Sequence, residues 1–395
     1  MADSALPDAG SGGSPGAYEG LAGLRRFRSN LVDWLDEHGP QLLSRRDGAT
    51  LADEVARTRR NQRVLWDAGW LRYGWPPSVG GYGESALLRA LVSEESSRRE
   101  LFCETAFSVG EVLLPTTISA APRIAETYGE AFLDGSERWC QGFSEPDAGS
   151  DLASLRCRAA DGGDHWIVNG QKIWTSYAQF ASRMFLLART GTPESRHRGI
   201  TAMLIDMDWP GVTVRPLQGM NEEDEFAEVF FDSVRVPKVR LIGEPNGGWA
   251  VAMDILRSER GTIFWTLSRW LLDQLFHLFD SAELTAFDDT KLGHAFVSVM
   301  GMRARSWTTQ HRLAAGTIST PETSIDKILM TAAEQEVFDL ARSTFDGLME
   351  FGDGSDAQRW RAGYMYSRAA SIYGGTAEIQ RNIVADQVLG LRSLG

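Results

Sequence analysis

The sequence predicts an α+β multidomain protein with an N-terminal helical domain, a middle antiparallel β-domain and a C-terminal helical domain. Apolar residues recur at helical spacing near the start of the chain, as Leu24, Phe27, Leu31 and Leu35 do. In the middle, short runs rich in Val, Ile and aromatic residues follow one another closely, which is typical of strands. The helical period returns after the turn-rich segment "GEPNGGW" at 243–249.

The domain boundaries follow from these changes of pattern. A chain of 395 residues is long enough for two or three domains. Its first residues are rich in Gly, Ala, Ser and Pro, a composition that favours disorder. We therefore predict a disordered tail at 1–17, an N-terminal α-helical domain at 18–135, a middle β-domain at 136–245 and a C-terminal α-helical domain at 246–395.

Local signals predict individual elements. The segment "HWIVNGQKIWTS" at 165–176 contains Asn169-Gly170, a dipeptide that predicts a two-residue hairpin turn between two strands. Thr323 and Thr376 precede acidic residues at the spacing expected of helix N-caps. Further strands are predicted for "RMFLLART", "ITAMLIDMD", "VTVRPLQGM" and "AEVFFDSVRV".

Composition excludes several functional classes. The net charge of −13 opposes a nucleic-acid or anionic membrane partner. Because no run of about 18 apolar residues occurs and the start lacks a signal layout, we expect a cytoplasmic protein without membrane insertion. The three cysteines, Cys103, Cys140 and Cys157, and the six scattered histidines form no disulfide framework and no metal-binding spacing, so we expect no metal.

Three segments carry a family resemblance. They are "WCQGFSEPDAGSDLASL" at 139–155, "VNGQKIWTS" at 168–176 and "IYGGTAEIQRNIVADQVLGL" at 372–391, and they resemble the signature segments of the acyl-CoA dehydrogenases. "GWPPSVGG" and "FFDSVRVP" lie at the family's usual places, so the resemblance covers the chain from about residue 20 to the end. It implies the acyl-CoA dehydrogenase fold, whose C-terminal domain is a four-helix bundle, and FAD held between the middle and C-terminal domains. The implied reaction oxidises an acyl-CoA thioester to the 2-enoyl thioester, passes a hydride to flavin N5 and delivers electrons to an electron-transfer flavoprotein.

The same resemblance assigns the cofactor contacts. A flavin needs hydrogen-bond donors at its pyrimidine edge and an apolar wall over its rings. Each matching residue taken alone would be explained by a turn or a core position, but their joint occurrence in family order favours a flavin site. The implied cofactor-binding residues are Gln141, Phe143, Ser144, Gly149, Ser150, Trp174, Thr175, Ser176, Gly375, Thr376 and Glu378. Ser150 is also expected to contact substrate.

The usual catalytic base of the family is missing. Many members carry Tyr-Glu-Gly-Thr in the last block, whereas this chain has Tyr373-Gly374-Gly375-Thr376. A branch that resembles isovaleryl-CoA dehydrogenase takes its base from a Glu-Arg pair in the first C-terminal helix, and Glu259-Arg260 lies at that place. We therefore expect Glu259 to abstract the α-proton.

Helical geometry favours an inward-facing Glu259. Residues three or four apart share a helix face, so Glu259 lies beside Ile255, Leu256 and Ile263, whereas Arg257 and Arg260 point elsewhere. The alternative is that Gly261 ends or bends the helix and exposes the glutamate.

Two neighbours of the base also receive roles. The N–H of Gly374 is expected to polarise the thioester carbonyl, and a glycine there leaves room for a branched or ring-bearing acyl group. Arg260 is expected either to support the site and contact substrate or to be an ordinary solvated arginine.

Two common FAD contacts of the family are not found. "DQLFHLFDSAELTAFDD" lacks the usual Arg-x-x-Phe-Gly, and "DLARSTFDGLMEFGDGSD" lacks Gln-x-x-Gly-Gly. Similar losses occur in actinobacterial members that resemble the steroid-degrading dehydrogenases. The sequence therefore leaves open whether the protein is a homodimer, a homotetramer or a heterotetramer. It also leaves open whether the thioester is carried by CoA or by an acyl-carrier protein. The functional alternatives are a non-catalytic or half-active subunit, and a flavin oxygenase of the same fold, against which the retained last block and the Glu-Arg pair argue.

Overall fold

The computed structural model describes residues 18–43, 49–102, 104–281, 288–345 and 347–391. Two compact units form, the first from 1–217 and 225–255 and the second from 218–224 and 256–395. The predicted disordered tail lies outside the described residues. No helix in the described part of the chain is long and apolar enough to cross a membrane.

The first unit begins with helices that bury the apolar positions expected from the sequence. In the first helix Leu24, Phe27, Leu31 and Leu35 are all buried. In the second, Thr50 and Asp53 form a reciprocal capping box that satisfies two N-terminal backbone donors. The helices are α1 (Gly20–His38), α2 (Leu51–Asp67), α3 (Ala86–Arg98), α4 (Glu104–Ala120) and α5 (Pro122–Leu133).

A sheet follows the helices in the same unit. Its strands are β1 (Trp139–Gly142), β2 (Arg158–Asp161), β3 (His165–Ser176), β4 (Arg183–Arg189), β5 (Ile200–Asp206), β6 (Val212–Leu217), β7 (Phe226–Pro237) and β8 (Leu241–Ile242). They pair in the order β6-β7-β3-β2-β4-β5-β8, and β1 pairs with β4 outside this path. The four strands predicted after residue 182 are confirmed as β4 to β7. The sheet is mixed rather than purely antiparallel, because β1 runs parallel to β4 and β2 meets β4 in a parallel bridge.

The hairpin predicted at Asn169-Gly170 is wrong. Both residues lie inside β3, which pairs with β7 along its length with two register shifts, one between Val168 and Gly170 and one between Lys172 and Thr175. Gly170 has φ +146°, and a Cβ there would lie 2.7 Å from the Cα of Cys157. Gly170 therefore permits a β-bulge in β3 and the close approach of the Cys157 backbone, two roles that glycine often has within a strand.

The second unit is helical. Its principal helices are α6 (Gly248–Ser281, which starts in the first unit), α7 (Asp289–Ala314), α8 (Ser324–Thr344), α9 (Leu348–Phe351), α10 (Ser355–Ser367) and α11 (Ala377–Ile383). The four longest, α6, α7, α8 and α10, share one apolar core, to which they contribute for example Phe264, Val299, Phe338 and Trp360. The architecture of a helical region, a β-domain and a second helical region is therefore confirmed, while the three exact domain boundaries stay predictions.

Two local predictions in the second unit have different outcomes. Thr376 caps α11 by accepting a hydrogen bond from the N–H of Ile379 at 3.3 Å, as expected. The side chain of Thr323 does not cap α8, because a 3₁₀ turn precedes the helix and the hydroxyl donates to Thr320 O at 2.7 Å.

Candidate active site

The end of β3 presents an aromatic ring and a free hydroxyl. Trp174 is 60% exposed and adopts φ +59° at a register shift between β3 and β7. Left-handed backbone is unfavourable for a bulky residue, and such strained positions occur in turns and at functional sites. The adjacent Thr175 is fully buried, and within the described residues its hydroxyl has no hydrogen-bond partner. These two residues can offer a flat apolar surface and a hydroxyl group to a ligand.

The segment beside Trp174 is held by a buried ion pair. Lys172 Nζ donates to Glu145 Oε1 at 2.7 Å and to the backbone oxygen of Phe143 at 2.9 Å. The carboxylate of Glu145 also accepts from the N–H groups of Arg156 and Cys157, at 2.6 and 2.9 Å. One buried carboxylate thus fixes both ends of the loop that follows β1.

Other candidate residues of the first unit lie around this loop. Ser144 O accepts from Ile173 N at 3.0 Å, so the predicted segments at 143–144 and 174–176 are brought together. The ring of Phe143 is buried, and its backbone oxygen is the one that accepts from Lys172. Gly149 and Ser150 are exposed, Gln141 lies in β1 and Ser176 ends β3. The cofactor roles of all these residues stay predictions.

Glu259 and Arg260 lie within an unbroken helix. Helix α6 continues through Gly261, where a Cβ would lie 2.5 Å from Leu313 Cδ1, so the glycine permits close packing against α7. The alternative in which Gly261 ends or bends the helix is therefore wrong. Glu259 is mostly buried.

Arg260 supports the turn that contains Gly374. It is only 4% exposed, so the solvated-arginine alternative is wrong. Its Nη2 donates to Gly374 O at 3.3 Å, and its Nη1 donates to the hydroxyls of Thr323 and Ser324 at 3.3 and 3.4 Å. Arg260 is thereby fixed among α6, the start of α8 and this turn.

The turn has a left-handed backbone that suits its glycines. Gly374 and Gly375 have φ +63° and +90°, values that glycine adopts without strain. Gln380 donates to Gly374 O at 3.0 Å, so two buried side chains hold the same carbonyl. In the described part of the chain, the N–H of Gly374 makes no hydrogen bond. Glu378 is exposed in the first turn of α11.

The carboxylate of Glu259 faces Gly374. A Cβ added to Gly374 would lie 3.1 Å from Glu259 Oε1 and 3.5 Å from Lys327 Cε. The glutamate thus occupies space next to the backbone position where many family members carry their base. Because Glu259 takes this space, the absence of a side chain at 374 is not by itself a sign of room for a bulky acyl group.

Two buried ionisable residues of α8 were missed from the sequence. Lys327 is 1% exposed and Glu334 is 2% exposed. Burial raises the pKa of Glu334 to about 7 and lowers the pKa of Lys327 to about 8. Burial also raises the pKa of Glu259, and the positive charges of Arg260 and Lys327 partly oppose this rise. A useful signal was present, because Lys327, Met330 and Glu334 share the helix face that enters the core.

Comparisons with known proteins agree with this architecture. The family model "Acyl-CoA dehydrogenase, middle domain" matches residues 140–234, and "Acyl-CoA dehydrogenase, C-terminal domain" matches residues 246–389. The acyl-CoA dehydrogenase IpdE1 of Mycobacterium tuberculosis is 35% identical over 383 residues, covering 93% of this chain and 98% of the relative. FadE34 of the same organism is 32% identical over 350 residues, covering 87% of this chain and 48% of the relative.

Similar solved structures share the fold at lower identity. The "Tcur3481-Tcur3483 steroid ACAD" has a TM-score of 0.80 and 24% identity, and covers 95% of this chain and 99% of its own. The ChsE4-ChsE5 complex from Mycobacterium tuberculosis has a TM-score of 0.74 and 23% identity, with 93% and 96% covered. Together, the two matched domains, the near full-length match to IpdE1 and the observed fold show that this chain belongs to the acyl-CoA dehydrogenase family of oxidoreductases.

Proposed function

We propose that this chain oxidises an acyl-CoA thioester at its α and β carbons with FAD as cofactor, and that Glu259 is the base that takes the α-proton. The observation that carries the proposal is the position of Glu259 Oε1, 3.1 Å from the place of a Cβ on residue 374. The carboxylate of Glu259 on α6 therefore lies next to position 374, the position at which many family members carry their catalytic glutamate.

The surroundings of Glu259 suit a base. Burial raises its pKa and makes it a stronger proton acceptor, while Arg260 and Lys327 favour its ionised form. The N–H of Gly374 would donate to the thioester carbonyl and stabilise the enolate charge that develops on oxygen. Arg260 and Gln380 hold the carbonyl of the same residue and so orient that N–H.

The first unit contains residues that fit a flavin. The exposed Trp174 ring suits a planar aromatic ligand, and the buried Thr175 hydroxyl lacks the partner that a ligand atom would supply. FAD bound there would accept the β-hydrogen as a hydride. Gly149 has open space at its Cα, which allows a ligand to approach the backbone closely.

The test is reduction of the flavin by substrate without oxygen. The purified yellow protein is mixed with straight, branched and steroid-derived acyl-CoAs, and bleaching of the flavin absorbance is followed. Glu259→Gln should keep the flavin and lose bleaching by about 10²–10⁴-fold or more. Glu336→Gln, an exposed acid on α8, is the matched control and should bleach at the parent rate. Bleaching of Glu259→Gln at the parent rate would exclude the glutamate as base.

A heteromeric enzyme is the second candidate. The absent Arg-x-x-Phe-Gly and Gln-x-x-Gly-Gly contacts favour it, and two of the similar solved structures carry the names of two proteins each. In this arrangement the chain needs an unlike subunit to complete its FAD site. Protein that is colourless alone and yellow only after co-expression with a partner would support it, whereas a yellow homo-oligomer with full flavin occupancy would exclude it.

A further inference from the structure

Resting on the role of Glu259, we propose that Lys327 is a positioning residue of this site. Its ammonium group holds the turn that leads to Gly374 and keeps the neighbouring Glu259 carboxylate in the ionised form that a base requires. Lys327 would not touch the reacting atoms and would act through Glu259.

The position of Lys327 is fixed by two contacts. Its Nζ donates to Ala370 O at 2.6 Å and lies 3.9 Å from the centre of the Tyr373 ring. A buried cation held over an aromatic face gains electrostatic stabilisation. Both contacts are made to the segment immediately before Gly374, so the ammonium group ties α8 to the turn.

The same side chain reaches the proposed base. Lys327 Cε and Glu259 Oε1 lie 3.5 and 3.1 Å from the one point that a Cβ of residue 374 would occupy. The lysine stem and the carboxylate thus border the same small volume beside Gly374. Burial lowers the effective dielectric, so the Lys327 charge favours the ionised form of the carboxylate, in addition to the larger effect of Arg260.

The Lys327 charge is not cancelled by a direct partner. Within the described residues, no carboxylate forms an ion pair with Lys327. The charged groups that act on it are Glu259 and Arg260 of α6 and Glu334 of α8. Tyr373 and Arg368 partly oppose the rise that burial causes in the pKa of Glu334. The negative charge of Asp326 acts to raise the pKa of Arg260. With its pKa lowered to about 8 by burial, Lys327 still carries its charge at neutral pH.

The proposal predicts a change in pH dependence. A base must be unprotonated before it accepts the α-proton, so the flavin-reduction rate falls on the acid side as Glu259 becomes protonated. Loss of the Lys327 charge would raise the pKa of Glu259 and move this acid limb to higher pH. At high pH, where Glu259 is ionised in either protein, the rates would converge.

The experiment compares three variants by rapid mixing across pH. Lys327→Met removes the charge, Lys327→Gln removes the charge but keeps a donor, and Lys327→Arg keeps the charge. The Met and Gln variants should shift the acid limb upward by about one pH unit or more, and Lys327→Arg should restore it. Lys291→Met, an exposed lysine on α7, should leave the profile unchanged. A rate lowered by one factor at every pH, or an unshifted limb, would overturn the proposal.

A second measurement needs no substrate. The infrared carboxyl band that disappears in Glu259→Gln is titrated in the parent flavoprotein and in the Lys327→Met variant. The band should persist to higher pH in the variant. If the titration shifts while no acyl-CoA bleaches the flavin, the proposed function fails and the role of Lys327 stands. If the titration does not move, the role of Lys327 fails whatever the activity.

Discussion

At the scale of single residues, Glu259 combines a buried carboxylate with two nearby cations. Its pKa is raised in the folded protein, so the stability that it contributes is present at low pH and is lost as pH rises through its folded pKa. Above that pH the folded state keeps a mostly buried charge whose burial is costly. A catalytic group held in this way is expected to oppose stability.

We therefore expect Glu259→Gln to stabilise the protein at pH 8 while it removes activity. The midpoint of thermal unfolding should rise by roughly 2–4 °C, and the difference should shrink toward pH 4. Calorimetry at both pH values measures this, with Glu336→Gln as the surface control. A lower midpoint for Glu259→Gln at pH 8 would show that the carboxylate is a structural ion-pair member.

Glu334 gives a second prediction from its raised pKa. The folded state holds this proton up to about pH 7, whereas an unfolded glutamate releases it near 4.5, so stability falls as pH rises between these values. Glu334→Gln should flatten this fall by on the order of 2 kcal/mol. Urea unfolding at pH 5 and pH 7 measures the difference. An unchanged slope in the variant would mean that Glu334 titrates normally.

At the scale of elements, β3 shows where sequence patterns succeed and fail. Its residue types predicted extended backbone correctly. The Asn169-Gly170 dipeptide suggested a hairpin because its preference for positive φ is the same in a turn and in a bulge. Only the tertiary approach of Cys157 to Gly170 decides between them, and that contact joins distant parts of the chain.

For helix α6, in contrast to β3, the sequence pattern was sufficient, because its periodicity already indicated the face on which Glu259 lies. The role of Gly261 was ambiguous in the sequence. The close approach of Leu313 from α7 explains why the glycine continues the helix. Arg260 was harder to place, since its partners Thr323 and Gly374 lie 63 and 114 residues away in the chain.

The buried ion pair of Lys172 and Glu145, which joins β3 to the loop after β1, is expected to stabilise the fold. Lys172→Met leaves Glu145 buried without its cation, which should cost about 3 kcal/mol of unfolding free energy. Adding Glu145→Gln should recover part of this loss. Lys238→Met removes a surface ion pair with Asp161 and should change stability far less, because solvent screens exposed charges. If urea unfolding shows the same loss of unfolding free energy for Lys172→Met and Lys238→Met, the buried ion pair does not have this stabilising role.

At the scale of the whole molecule, the order of a helical region, a β-domain and a second helical region followed from hydrophobic periodicity alone. The three family-like segments predicted the family, which the matched domains and the relatives confirm. Helical spacing alone could place Lys327 and Glu334 on one face of α8, but their contacts with Tyr373 were not predictable, because they depend on how α8 packs against the turn before Gly374.

The central claim is that Glu259 removes the α-proton, and exchange of that proton tests it most directly. The acyl-CoA that bleaches the flavin fastest is incubated with the protein in D₂O without an electron acceptor, and deuterium at the α-carbon is measured by NMR. We predict exchange with the parent protein and with Glu336→Gln, and a loss of about 10²-fold or more with Glu259→Gln. Exchange by Glu259→Gln at the parent rate would contradict the account.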